Sequence, residues 1–154
     1  MFDAHRILLV ANRTANSDGL RDAVQRRAER GPVRAHLVVP AVPQGLHRLV
    51  DPEVAGRDEA RARMEAALES LSDAAGSEVT GAVGDADPMA AIQDALGAAG
   101  GFDEIIISTL PRRLSRWLHI DLPSKVRGLG LPVAHVEARV ADPEVAPPVG
   151  SGSI

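Results

Sequence analysis

Two stretches of the sequence set hydroxyls, amides and guanidinium groups directly behind runs of residues that suit burial. Ile7-Leu8-Leu9-Val10-Ala11 is followed by Asn12-Arg13-Thr14-Ala15-Asn16-Ser17-Asp18, and Ile105-Ile106-Ile107 by Ser108-Thr109-Leu110-Pro111-Arg112-Arg113. Guanidinium forks and hydroxyls are the groups that hold carboxylates and phosphates. Between Leu110 and Gly130 the basic residues Arg112, Arg113, Arg116, Lys125 and Arg127 face a single acid, Asp121, although the whole chain carries a net charge of −4. The expected site joins Arg112 and Arg113 to Ser108, Thr109 and Thr14 around a small anionic ligand. The bland reading of the same window is a solvated basic helix with Trp117 and Leu118 packed inward.

Other chemistries find little support. The chain has no cysteine, which removes thiolate nucleophiles, disulfides and iron–sulfur clusters. His5, His36, His47, His119 and His135 lack the close spacing of a metal site, so no metal is expected. Asp85 and Asp87 could pair for acid–base work, but Asp87 directly before Pro88 is a better helix cap. Neither Gly-x-Ser-x-Gly nor the Walker A pattern occurs, and nothing assembles a nucleophile, a base and an electrophile. No enzyme activity is expected. A negative net charge with 2% aromatic residues argues against nucleic-acid partners.

The candidate residues must be positioned by the elements around them. Apolar residues at 45% and charged residues at 25% indicate a globular chain, and its 154 residues suit one domain. Strands are expected over Arg6–Ala11, Val33–Val39 (ended by Pro40), Glu78–Val83, Glu104–Ser108 and Val133–Val136. A helix is expected from Asp18 to Arg30 with Leu20, Ala23, Val24 and Ala28 inward, stopped by Gly31-Pro32. After a loop carrying Pro43 and Gly45, Asp51-Pro52-Glu53 starts a second helix. Its stripe is Ala60, Met64, Ala67, Leu68, Leu71 and Ala75, closed by Gly76. A third runs from Pro88 to about Ala99, with Met89, Ile92, Ala95 and Leu96 inward. Short helices follow around Leu114, Trp117 and Leu118 and over Pro123–Arg127. This alternation predicts an α/β fold with a doubly wound parallel sheet, whose ligands lie at the carboxyl ends of strands where strand order reverses.

The chain from about Arg6 to Glu137 resembles the universal stress protein family. The resemblance is carried by Ile7-Leu8-Leu9-Val10 leading into a polar loop, and by the long second helix after a variable loop. Gly84-Asp85-Ala86-Asp87-Pro88 is similar to the family's Gly-Asp-Pro turn with an insertion. Asp103-Glu104-Ile105-Ile106-Ile107-Ser108 and Leu131-Pro132-Val133 are similar to its last two strands. The resemblance implies a Rossmann-like sheet of order 3-2-1-4-5. It also implies a homodimer through the last strand, here Val133, Ala134, His135 and Val136. The pocket then lies between Asn12-Arg13-Thr14, the end of the second strand near Val39, Gly84, and Ser108 to Arg113.

Some members of that family bind ATP, and their diagnostic positions differ here. Asn12 stands where they have Asp, and the Ser-Gly-Gly-x-Asp-Ser loop of related ATP pyrophosphatases is replaced by Ala11-Asn12-Arg13-Thr14-Ala15-Asn16. If Ser108 matches the first glycine of the Gly-x2-Gly-x9-Gly-[Ser/Thr] run, Pro111 falls on the second and Asp121-Leu122 on the final pair. Pro111 has no amide hydrogen to offer. A carboxylate 4 to 5 Å from a phosphate repels it by about 3 to 4 kcal/mol at an effective dielectric near 20. A helix N-terminus returns only about 0.3 to 1 kcal/mol. ATP held in the family manner is therefore disfavoured.

The expectation is a regulatory or binding protein that takes a small anionic ligand. The alternatives are a ligand-free dimeric scaffold and a nucleotide-binding stress protein with an altered motif. The universal-stress-protein-like domain is expected over residues 1–140, with a disordered Pro/Gly/Ser tail over 141–154. The chain start, Met1-Phe2-Asp3-Ala4-His5-Arg6, lacks signal-peptide character, and Ile7–Ala11 is too short to span a bilayer, so a cytoplasmic protein is expected.

Overall fold

The structure is a computed structural model that describes residues 3–41, 52–98 and 101–139. The loop with Pro43 and Gly45, His47, the Asp51 cap and the 141–154 tail lie outside these residues. The elements run β1 (His5–Val10), α1 (Asp18–Arg30), β2 (Val33–Pro40), α2 (Pro52–Ala75), β3 (Thr80–Gly84), α3 (Pro88–Ala98), β4 (Glu104–Thr109), α4 (Arg116–His119), α5 (Leu122–Arg127) and β5 (Val133–Glu137). All strand pairs are parallel, and the sheet order is β3-β2-β1-β4-β5. This is the predicted doubly wound fold.

The central strands are apolar throughout because both of their faces are covered. Ile7 and Leu9 of β1 and Ile106 of β4 point into a core with Leu20, Ala23 and Val24 of α1 and Ala60, Ala67 and Leu71 of α2. Leu8, Val10, Ile105 and Ile107 point the other way, against Ala91 and Ile92 of α3 and Leu122 and Val126 of α5. The predicted stripes of α1 and α2 are thus the packing faces. Small side chains let the helices approach closely. A Cβ added at Gly19 of α1 would lie 3.1 Å from Val136 of β5.

At the amino ends of the strands, Arg27 of α1 and His5 of β1 converge on Glu104 of β4, at 2.7 and 2.9 Å. Burial opposes ionisation of Glu104, yet the hydrogen bonds from Arg27 and His5 hold its carboxyl below the usual range. The charged network sits at the opposite end of the sheet from the predicted site.

Three boundaries differ from expectation for visible reasons. β3 begins at Thr80 rather than Glu78, because the preceding residues are tied elsewhere. Ser77 Oγ donates to the Val33 carbonyl, and the Val79 amide donates to Ser72 Oγ. Pro40 is the last residue of β2 rather than the stop beyond it, paired with Gly84. Leu114 lies outside α4, because Ser115 caps that helix by accepting from the Leu118 amide at 3.2 Å. No helix among the described residues is long and apolar enough to cross a membrane.

Candidate functional site

β1 and β4 are adjacent in the sheet, but the chain leaves them toward opposite faces: α1 packs on one, α5 on the other. The divergence of two connections at such a point opens a crevice at the carboxyl ends of the strands. Here it holds a cavity of about 210 Å³. Asn12, Arg13 and Thr14 line it after β1, Ser108, Thr109 and Leu110 at the end of β4, and Ala86 and Pro88 after β3. Leu114, Ser115, Arg116, Trp117 and Ile120 close it from around α4.

The loop after β1 is held by its own turns. The Ala15 amide donates to the Asn12 carbonyl and the Ser17 amide to the Thr14 carbonyl, each at 3.1 Å. Ser17 then caps α1 by accepting from the Leu20 amide. Buried Asn12 is used on both sides of its amide. Nδ2 donates to the Pro40 carbonyl at 2.6 Å, and Oδ1 accepts from the Arg63 guanidinium of α2. Its orientation is fixed by chemistry, since the first partner can only accept and the second only donate. Burial draws the Arg63 guanidinium below its ordinary value, Glu59 opposes that shift and Arg13 adds to it.

The hydroxyls of the floor are likewise paired. Thr14 Oγ1 and Ser108 Oγ lie 2.7 Å apart, both residues being almost wholly buried, and they join the β1 loop to β4. Thr109 Oγ1 lies 2.8 Å from His135 Nε2 on β5. Burial pushes the His135 imidazole below its ordinary value; Glu137 opposes this, and Arg127 and Arg112 assist it. Each hydroxyl keeps hydrogen-bonding capacity beyond the bond it makes, so the floor can still meet a polar ligand.

Of the residues expected at the site, the structure brings Asn12, Arg13, Thr14, Ser108 and Thr109 together around this cavity. Arg112 and Arg113 are exposed and do not line it; the Arg112 amide instead donates to the Glu137 carboxylate at 3.2 Å. Val39 is fully buried in the core beneath α1 and α2. Gly84 packs under α3, where an added Cβ would lie 2.7 Å from Ala91 Cβ. Asp121, the residue aligned with the phosphate loop, is exposed, in a left-handed conformation (φ 55°), and outside the lining.

The charge that lines the cavity comes from Arg13 and Arg116, with no carboxylate among the lining residues. The Arg116 side chain makes no hydrogen bond or ion pair with any described residue. Trp117 is partly buried against the α3–α5 core and is the one aromatic residue of the lining. Sequence spacing picked the adjacent pair Arg112 and Arg113 and missed Arg116 as a lining residue. The signal that could have found it is Ser115, a capping residue three positions before Leu118, which starts the helix at Arg116. Among the described residues, no three His, Cys, Asp or Glu side chains converge as a metal site.

No protein-family profile matches the sequence, and no curated protein matches it. Solved structures do. A universal stress protein in complex with cAMP is 12% identical over 88% of this chain and 98% of its own, with a TM-score of 0.57. A universal stress protein from Archaeoglobus fulgidus is 17% identical over 86% and 93%, with a TM-score of 0.55. A protein of the universal stress protein family from Burkholderia pseudomallei is 17% identical over 84% and 93%, at 0.56. At these identities the likeness is one of fold, and this chain has the universal stress protein fold.

Proposed function

We propose that this chain is a regulatory protein of the universal stress type that binds a small anionic ligand in the cavity between β1 and β4, without turning it over. The observation that carries this function is the lining itself: two arginines, paired hydroxyls and no carboxylate at the point where the sheet reverses its order. One structural relative is a universal stress protein in complex with cAMP, which supports an anion of nucleotide type as the ligand class. About 210 Å³ falls below the roughly 300 Å³ at which sites for drug-sized ligands begin, which favours something smaller than a nucleoside triphosphate. Pro111 offers no amide, so ATP held by backbone donors in the family manner stays disfavoured. Thr109 and His135 make the hydroxyl–imidazole pair at the floor; among the described residues no carboxylate is hydrogen-bonded to that imidazole, which argues against a nucleophile–base pair.

Native mass spectrometry of freshly purified protein, followed by calorimetry with a nucleotide panel, tests this. A retained mass or a binding isotherm for a small anion is expected. A chain that retains nothing and binds no member of the panel overturns the proposal in favour of the ligand-free scaffold. The same function includes a homodimer along β5, the sheet-edge strand opposite β3, whose outer Val133–Val136 edge is paired with no other strand among the described residues. Light scattering should give twice the 16.2 kDa chain mass; the single-chain value at micromolar concentration excludes it.

A further inference from the structure

We propose that α4, not the loop bearing Arg112 and Arg113, selects the ligand. In this assignment the Trp117 indole stacks on a planar ring, and the Arg116 guanidinium pairs with a single anionic group attached to that ring. The proposal deepens the ligand-binding function above and rests on it.

Three observations lead to this ligand chemistry. First, the two cations of the lining differ in their state. Arg13 is already engaged within the chain, whereas Arg116 is exposed beside the cavity and has no side-chain partner among the described residues. A guanidinium in that state is the group that gains most from an incoming anion, by two parallel N–H donors to phosphate or carboxylate. Second, the aromatic residue next to it in sequence lines the same cavity. Trp117 is anchored against the core beneath α3 and α5, which fixes its ring as a platform. Ala86, Pro88 and Leu110 complete an apolar wall that favours a flat, weakly polar body. Third, the size of the cavity admits a ring and one charged group but leaves little room for a polyphosphate chain. The helix that carries the selecting pair is set in place by Ser115, whose side chain caps it.

The test uses the chain's own reporter. Trp117 is the only tryptophan and there is no tyrosine, so indole emission reads this cavity alone. The probes are AMP, a phosphate joined to a planar purine through its ribose, and salicylate, a carboxylate borne directly on a planar ring, with adenosine, inorganic phosphate and ATP as comparisons. AMP, salicylate or both should change Trp117 emission and bind at least about tenfold more tightly than the three comparisons. Arg116→Gln, on the surface, should lower affinity for the bound probe by about tenfold or more, while Arg112→Ala/Arg113→Ala leaves it unchanged. Trp117→Leu, read by calorimetry, should weaken the same probe, and Trp117→Phe, which keeps a ring in place, should restore part of the loss. Circular dichroism confirms that each variant is folded. Binding that ignores Arg116→Gln and Trp117→Leu, or that disappears with Arg112→Ala/Arg113→Ala, overturns the role of α4 while leaving ligand binding intact. Failure of both AMP and salicylate to bind, with adenosine or ATP binding instead, overturns the chemical class. Failure of every probe, with no retained mass, overturns ligand binding and the α4 assignment together.

Discussion

Replacing Gly84 with alanine asks the structure for room it does not have. The added Cβ would lie 2.7 Å from Ala91 Cβ and 2.9 Å from Val38 Cγ2, against a carbon–carbon optimum of about 3.5 to 4.0 Å. Ala91 Cβ cannot swing aside, because it is fixed to the backbone of α3; relief requires the helix to move off the sheet. Overpacking of that kind costs about 1 to 3 kcal/mol. At about 2 to 4 °C per kcal/mol for a chain of this size, Tm should fall by about 2 to 12 °C. Gly81→Ala is the control. Its Cβ would also come within 2.8 Å of a neighbour, but that neighbour is the flexible Met64 side chain, which can turn away. A change within about 1 kcal/mol is expected there. Thermal unfolding by circular dichroism measures both. Gly84→Ala melting with the parent, or Gly81→Ala losing more than Gly84→Ala, would refute the packing account. The same variant also bears on ligand binding, since Gly84 was expected at the pocket from sequence. Lost probe affinity at an unchanged Tm would return it to that role.

Other perturbations give equally definite outcomes. Ser108→Ala leaves the buried Thr14 hydroxyl without its 2.7 Å partner and should cost about 1 to 3 kcal/mol in urea unfolding; Thr14→Val/Ser108→Ala should recover part of it, and equal stability of the two variants would contradict the pairing. Asn12→Asp removes the donor to the Pro40 carbonyl and sets a carboxylate against it, so Tm should fall even though Arg63 remains opposite, and calorimetry should show no gain of ATP binding. Burial holds both His36 and His135 below their ordinary value of 6.5, so the unfolded chain binds more protons than the native one as pH drops through that range. Stability should therefore be full above about pH 6.5 and decline below it, read as Tm between pH 7.5 and 5; a flat profile would contradict it. The Glu104 contribution has the acidic sign, present above about pH 4.5 and lost at lower pH, and stays outside that window.

The fold was legible because burial on both faces leaves a strong mark. Ile105-Ile106-Ile107 needs cover above and below, and the α2 stripe from Ala60 to Ala75 has one helical period. The lining of the candidate cavity was legible only where it follows directly from a strand end, as with Asn12, Arg13, Thr14, Ser108 and Thr109. Beyond Thr109 the chain turns, and composition does not record which way. Arg112, Arg113 and Arg116 contribute the same charge to the window, but only Arg116 follows a capping serine into a helix beside the cavity. Gly84 and Val39 stand near the expected pocket in sequence, yet neighbours from α3 and the α1–α2 core occupy their surroundings. That Ala91 of the next helix and Val38 of the neighbouring strand meet at Gly84 is decided by tertiary packing, which local spacing does not record. Asp121 illustrates the same limit, because its alignment with a phosphate loop says nothing about the left-handed turn that carries it outside the lining.

The Asn12 amide fastens the loop after β1 to the last residue of β2 and to the middle of α2 at once. With the Thr14–Ser108 pair it makes one wall of the cavity a braced rim rather than a hinge. A guest arriving there has little backbone entropy to remove, so most of the interaction it makes is available as affinity. Its arrival should also be quick, governed by diffusion and orientation rather than by a slow rearrangement of the host.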